Sequence, residues 1–423
     1  MIIPRALKLS FVVTLLSALS NLLTLPTFAQ DARGTLRGVV QDATGARVAT
    51  ARIILRASES PVERQAETNP RGEFRIEELL PGAYMVVVRA QGFAEATAQV
   101  RVTISSTTAI TVALKPAAVE QLVRVQGEPA SISTQSIDTA SAVHQGVISA
   151  RDLETMPLAN RSFANIAYLA PGTEPVEPSD PTKARITAVS FGGSSGLNVE
   201  ASVDGGDNSD DYIGGFLENF SPDAIQEFAV RTSQEDADTG RTTAGSVVIT
   251  TKHGTDQWHG SGAFYERAAS LNARFPIDNP APEPKQPFSR QNYIGTLGGP
   301  IEKGKLWFFS SFEAVHENAS INYSPDTLTQ FNALSQLAQL GLIPGVSSIP
   351  APGNVPVPFR NYLTLVRLDW SQSPRSQWFL RGAGDNYTTT NDLVEQATLP
   401  STGAASFSNY LSLVANNTYS FGA

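Results

Sequence analysis

Six segments in the second half of this sequence alternate apolar and polar residues over about ten positions each. They run over 258–267, 290–299, 306–315, 361–370, 377–387 and 407–419. A β-barrel presents that pattern to a membrane, one face to lipid and the other to a polar lumen. In 306–315 the phase puts Leu306, Phe308, Phe312 and Ala314 toward lipid and Ser311 and Glu313 toward the lumen. In 361–370 it puts Tyr362, Val366, Leu368 and Trp370 outward and Arg367 and Asp369 inward. The connections alternate short, as at 371–375, and long, as at 317–359, where a helix is expected over 327–340 with Leu328, Phe331, Leu334 and Leu337 on one face. Closed bacterial barrels need at least about eight strands. An open edge in lipid leaves backbone groups unpaired. Region 256–423 is therefore expected to be the first strands of an incomplete antiparallel transmembrane barrel, in an N-terminal piece of a longer protein. A soluble β-sandwich is the competing reading.

The other end of the chain reads as an address. Arg5 and Lys8 precede an apolar run from 9 to 25, Pro26 breaks it, and Thr27-Phe28-Ala29 offers small residues where a signal peptidase cuts. Residues 1–29 are expected to be a cleaved signal peptide; an uncleaved anchor is the alternative. The net charge of −9 argues against a nucleic-acid partner. The absence of cysteine excludes disulfides, thiolate metal sites, a cysteine nucleophile and a lipoprotein anchor.

Residues 34–115 read as short strands cut by turns at 42–45, 69–72 and 81–82, a pattern that suggests a small β-sandwich. Val48, Ala51, Ile53 and Leu55 are its candidate core residues. Residues 116–148 read as a linker, and within it 119–125 alternates with period two. Such a segment can add as a strand to a partner's sheet edge; the sandwich's own last strand is the other reading. Residues 149–254 read as a mixed α/β domain. Ser149 to Asp152 looks like a capping box, strands are expected at 186–191, 199–203 and 247–252, and a helix is expected after Ser221-Pro222-Asp223, carrying Ala224, Ile225 and Phe228.

Three stretches carry resemblances. Gly38 to Gly45, Ala51, Thr68 to Phe74, Leu80 to Tyr84 and Gly92-Phe93 resemble the carboxypeptidase regulatory-like domain, a non-catalytic sandwich similar to carbohydrate-binding folds. Sugar binding and a spacer or docking role both stay open for it, whereas a peptidase lacks an H-x-x-E zinc pair. Phe191-Gly192-Gly193, Val203-Asp204-Gly205, Ser221 to Phe228, Gly240 to Gly245 and Val248 to Lys252 resemble, in order, the plug of TonB-dependent receptors. Lys252-His253-Gly254-Thr255, His259-Gly260, Gly298 to Ile301 and Lys305 to Phe309 are similar to the Oar-like branch, with departures at His253 and Gly206.

The resemblance implies a mainly β chain: signal peptide, sandwich, plug, barrel strands. It implies a receptor of the cell outer membrane that imports an unidentified extracellular ligand with energy from TonB. The alternative is a surface adhesion protein that binds carbohydrate or matrix without transport. Residues 119–125 resemble a TonB box, with Glu120, Leu122, Val123, Arg124 and Val125 as the candidate contacts. The expected partners are TonB, outer-membrane lipid and that ligand. No catalytic residue, cofactor or metal is expected, since the four histidines are scattered and no nucleophile motif is present. The acidic cluster Asp204, Asp207, Asp210 and Asp211 is read as a solvated loop at the plug apex. Calcium is its rival reading, but position 215, where a calcium loop would place glutamate, is glycine.

Overall fold

A computed structural model describes residues 33–419, apart from 59–62, 118–143, 177–187, 211–214, 234–241, 274–284 and several shorter stretches. The expected signal peptide and the segment 119–125 lie outside the described residues.

The first unit is a sandwich of two sheets. In one, β1 (Gly34–Asp42) pairs antiparallel with β4 (Glu73–Leu79) and parallel with β7 (Thr107–Leu114). In the other, β2 (Arg52–Ala57) lies between β3 (Glu63–Glu67) and β5 (Gly82–Arg89), and β5 pairs with β6 (Ala96–Val102). Ala51, Ile53 and Leu55 are fully buried between the sheets, with Val48 at their margin. The turn at 69–72 closes as its residues dictate. Asn69 Oδ1 accepts from the backbone N–H of Arg71 at 2.9 Å and of Glu73 at 3.0 Å, and Gly72 takes a φ of +72°. Strand β3 has no apolar run to announce it; it is a polar edge strand.

The second unit is built on a five-stranded sheet of order β12-β11-β14-β13-β8. Its strands are β8 (His144–Ser149), β11 (Val199–Val203), β12 (Gly206–Asp207), β13 (Ile225–Ser233) and β14 (Gly245–Thr251). A separate pair, β9 (Thr173–Val176) and β10 (Ala188–Phe191), flanks it. Every residue of β14 is buried, as a continuous Val-Val-Ile run in a central strand requires. Helix α1 (Ala150–Thr155) begins with the expected capping box, and α2 (Phe163–Ala167) follows. Two expectations are corrected here. The linker does not extend to 148, because 144–148 is already strand. The helix expected after Ser221 is a single 3-10 turn, Pro222–Ala224, which gives way to β13. Between β14 and β8 the strand satisfies both sides of its backbone, and the Ser221 hydroxyl donates to Glu313 instead of capping.

The third unit is a six-stranded meander, β15 (His259–Ala268), β16 (Phe288–Glu302), β17 (Leu306–Ile321), β18 (Val355–Ser373), β19 (Ser376–Thr390) and β20 (Ala405–Tyr419). Each strand pairs antiparallel with the next, and the sheet is not closed. All six expected strands are present, and β16 to β20 reach 15–19 residues, because pairing continues past the lipid-facing band into polar sequence. The faces fall as the alternation dictates. Val366 is 53% exposed on the outer face and Arg367 2% on the inner. Outward Trp258, Trp370 and Trp378 cluster at one end of the strands, and Phe264, Tyr293 and Tyr362 at the other. Eight residues separate Tyr362 from Trp370 on β18. At about 3.4 Å per residue and a tilt of about 40° that is a height of about 20 Å. Two aromatic girdles at that separation match a barrel's lipid-facing band of about 25 Å. In the long loop, α3 (Pro325–Gln339) starts two residues before the expected helix because Ser324 caps it and Pro325 takes the first turn. Phe331 buries against Tyr323, Val355 and Val394. Leu334 and Leu337 stay exposed.

Candidate functional site

The plug sheet meets the inner face of the meander through a buried cluster of charges. After β11 the chain turns at Asp204, whose φ is +51°. Its carboxylate, 5% exposed by residue, accepts from the Thr251 backbone N–H at 2.9 Å and the Thr251 hydroxyl at 2.7 Å. Two guanidinium groups reach it from neighbouring barrel strands. Arg367 Nη1 donates to Asp204 Oδ1 at 3.0 Å, and Arg381 Nε lies 3.4 Å from Oδ2. Arg367 also holds Asp369, with Nε at 3.0 and 3.1 Å and Nη2 at 2.9 Å. Phe379 stacks under Arg367 at 4.5 Å, and plug residue Phe220 under Arg381 at 5.1 Å. Further up the wall, Asn219 donates to Asp385 twice at 3.0 Å, and Glu313 accepts from Ser221 and, at 2.7 Å, from Asn292. Phe309, Leu365 and Ala383 of the wall pack into the plug's apolar core.

The solvated-loop expectation is therefore corrected for two of the four acidic residues, Asp204 and Asp210. Asp204 and Asp210 are both 5% exposed. Asp204 is buried because two arginines repay its desolvation, which an isolated carboxylate could not tolerate. Asp207 is exposed and accepts from the Ser209 N–H at 2.9 Å. Asp211 lies outside the described residues. Among the described residues no group of three or more histidines and carboxylates could hold a metal ion. The candidate TonB-box residues Glu120, Leu122, Val123, Arg124 and Val125 also lie outside. Arg381, Asp385 and Glu227 carry contacts that sequence reading passed over. The first two occupy the lumen phase of 377–387, so alternation could have flagged them as inward charges.

Gly206, one of the two departures from the family pattern, stands against the wall. A Cβ there would stand 2.6 Å from Val414 on β20. A larger side chain would have to displace Val414 and would stand beside the Arg381 guanidinium.

The sandwich touches the plug from the other side of its sheet. Glu227 on β13 is fully buried and accepts from the Ile104 N–H at 2.8 Å, with Arg101 Nη2 at 3.5 Å. Burial pushes its carboxyl up to about 7, although the Ile104 amide and Arg101 oppose the shift. Tyr84 also interacts with it electrostatically. Between its ordinary 4.5 and about 7 the folded protein thus keeps a proton that the unfolded chain has lost. Glu227 therefore adds most to stability below pH 4.5, and the gain disappears as pH rises through 7. Stability of the full-length protein to unfolding should therefore fall from pH 5 to 8, and Glu227→Gln should flatten that dependence. A dependence of opposite sign would refute the assignment. Below the Asp204 ion-pair cluster, which locks the plug to the wall, a cavity of about 90 Å³ lies between the three units, lined by Arg33, Glu78, Gln226, His253, Trp307 and Asp369 among others.

Comparison with known proteins agrees with this architecture. Residues 35–115 match the carboxypeptidase regulatory-like domain and residues 250–338 the outer membrane beta barrel domain. The chain is 29% identical over 299 residues to the TonB-dependent transporter Oar of Myxococcus xanthus, covering 67% of this chain and 27% of that protein. It spans about a quarter of that relative's length. Among solved structures, the outer membrane transporter YddB from Escherichia coli superposes with a TM-score of 0.49 at 9% identity, over 66% of this chain and 37% of that one. The siderophore receptor PirA from Acinetobacter baumannii gives 0.43 at 15%, over 64% and 37%. The barrel-domain match and the aromatic girdles assign the chain to the outer membrane. The chain thus matches a carboxypeptidase regulatory-like domain at 35–115 ahead of an outer membrane beta barrel domain at 250–338, and it is similar to Oar over about two thirds of its own length.

Proposed function

We propose that the chain is part of a TonB-dependent outer-membrane transporter that imports an extracellular ligand and catalyses no reaction. The observation that carries this reading is the lock at Asp204. Apart from the chain junction at 252–258, the plug is held in the wall by ion pairs, hydrogen bonds and apolar contacts, so a pull can break them and their re-formation can restore the seal. Residues 119–125 are the pulling point. Glu120, Leu122, Val123, Arg124 and Val125 add as a strand to TonB, whose backbone pairing supplies affinity while alternate side chains supply selectivity. The TonB-dependent relative supports this assignment. The position of the sandwich, with Ile104 buried against the plug, supports a docking role over an adhesive one.

Deletion of 119–125 from the full-length protein tests the reading without knowledge of the ligand. A strain lacking the gene should regain its growth phenotype with the wild-type copy and not with the deletion. Equal rescue by both would contradict coupling through this segment.

A further inference from the structure

The contact between the sandwich and the plug gives the docking role a specific form. The loop between β6 and β7 carries Ile104 at its tip. Thr103 and Ser106 fix the loop through their hydroxyls, 2.6 Å apart, and Ser105 N–H donates to Arg33 O at 3.0 Å. Ile104 is fully buried, yet it packs apart from the sandwich's own core. Its neighbours are Val147 on β8, Ala229 on β13 and Val248 on β14. It therefore lies across three adjacent strands of the plug sheet, and its N–H is tied to Glu227 at 2.8 Å. Among the described residues, strand β8 is the sheet's edge and pairs only with β13. An edge strand held on one side has fewer bonds to lose than a strand paired on both, so it opens at lower cost than the sheet's centre.

The chain order makes that placement meaningful. The sandwich ends just before 118–143, and β8 begins just after it. Both anchors of the segment that holds 119–125 are thus joined to each other through Ile104. A pull in the middle of that segment loads the sandwich and the edge strand together.

We propose that the sandwich is a clamp on the plug: Ile104 and its bond to Glu227 hold β8 in the sheet, and the sandwich must come away before β8 can peel. The role of force rests on the transport reading above; the protection of β8 does not. The test is hydrogen exchange on the full-length protein in nanodiscs, which needs neither TonB nor ligand. In Ile104→Asp, the amides of 145–148 should exchange at least tenfold faster than in wild type, with β1 to β7 and β14 unchanged. Unchanged exchange at 145–148 alongside a freely exchanging residue-104 amide would overturn the proposal. Should Ile104→Asp also expose β1 to β7, Ile104→Ala decides between the same two outcomes. Pulled from position 123, wild type should release in a distinct step before the plug extends, and Ile104→Asp should lack that step. Plug extension at the same force in both would reject the clamp, whatever the fate of the transport reading.

Discussion

Arg367→Ala is expected to release the plug from the barrel wall at a cost of about 3–5 kcal/mol, the usual penalty for removing one partner of a buried ion pair. The reason lies in what remains. Arg367 holds Asp204 and Asp369 at once and is 2% exposed. Without it Asp204 keeps Thr251 and a 3.4 Å approach from Arg381, while Asp369 loses three hydrogen bonds. Arg367→Lys should recover only part of the loss, because an ammonium cannot span two carboxylates as a planar fork does. Limited proteolysis of the plug in the full-length protein reads the effect. Wild type should resist, Arg367→Ala should be cut within the plug, and equal resistance would contradict the lock.

Gly254→Ala should do comparable damage by a different route. At this junction the chain leaves the plug and runs against β17. A Cβ on residue 254 would stand 2.3 Å from the carbonyl oxygen of Phe308 and 2.8 Å from its nitrogen. Those atoms sit in a strand paired on both sides, so they cannot move aside as a flexible side chain would. Overpacking of this kind costs about 1–3 kcal/mol, more where backbone must shift. Gly262→Ala is the control, since nothing lies within 4 Å of a Cβ there. Thermal unfolding of the purified full-length protein should show a lower midpoint for Gly254→Ala and none for Gly262→Ala. Equal midpoints would mean that the junction is not as tight as described.

The barrel strands were legible in the sequence because lipid and lumen make opposite demands on alternate residues. Val366 and Arg367 cannot exchange places without burying a charge in lipid. The capping box at Ser149 and the turn at Asn69 were legible for a similar reason, since their partners lie within four residues. The lock was not. Asp204 and Arg367 are separated by 163 positions, and an aspartate beside two glycines has the composition of an exposed turn. Strand β8 was hidden by its brevity and by the polar segment before it. The residues after Ser221 carry a helix-start signal, but two neighbouring strands outbid it by pairing with both edges of β13. Local chemistry proposed a helix there, and the sheet overruled it.

Energy is proposed to enter through 119–125. A photo-crosslinking amino acid at position 123 of the full-length protein, in living cells, tests it most directly. The account predicts a cross-link to TonB from position 123, lost when Val125 is replaced by proline, which cannot pair in a strand. Cross-links to TonB from elsewhere in the chain, with none from 120 to 125, would contradict it.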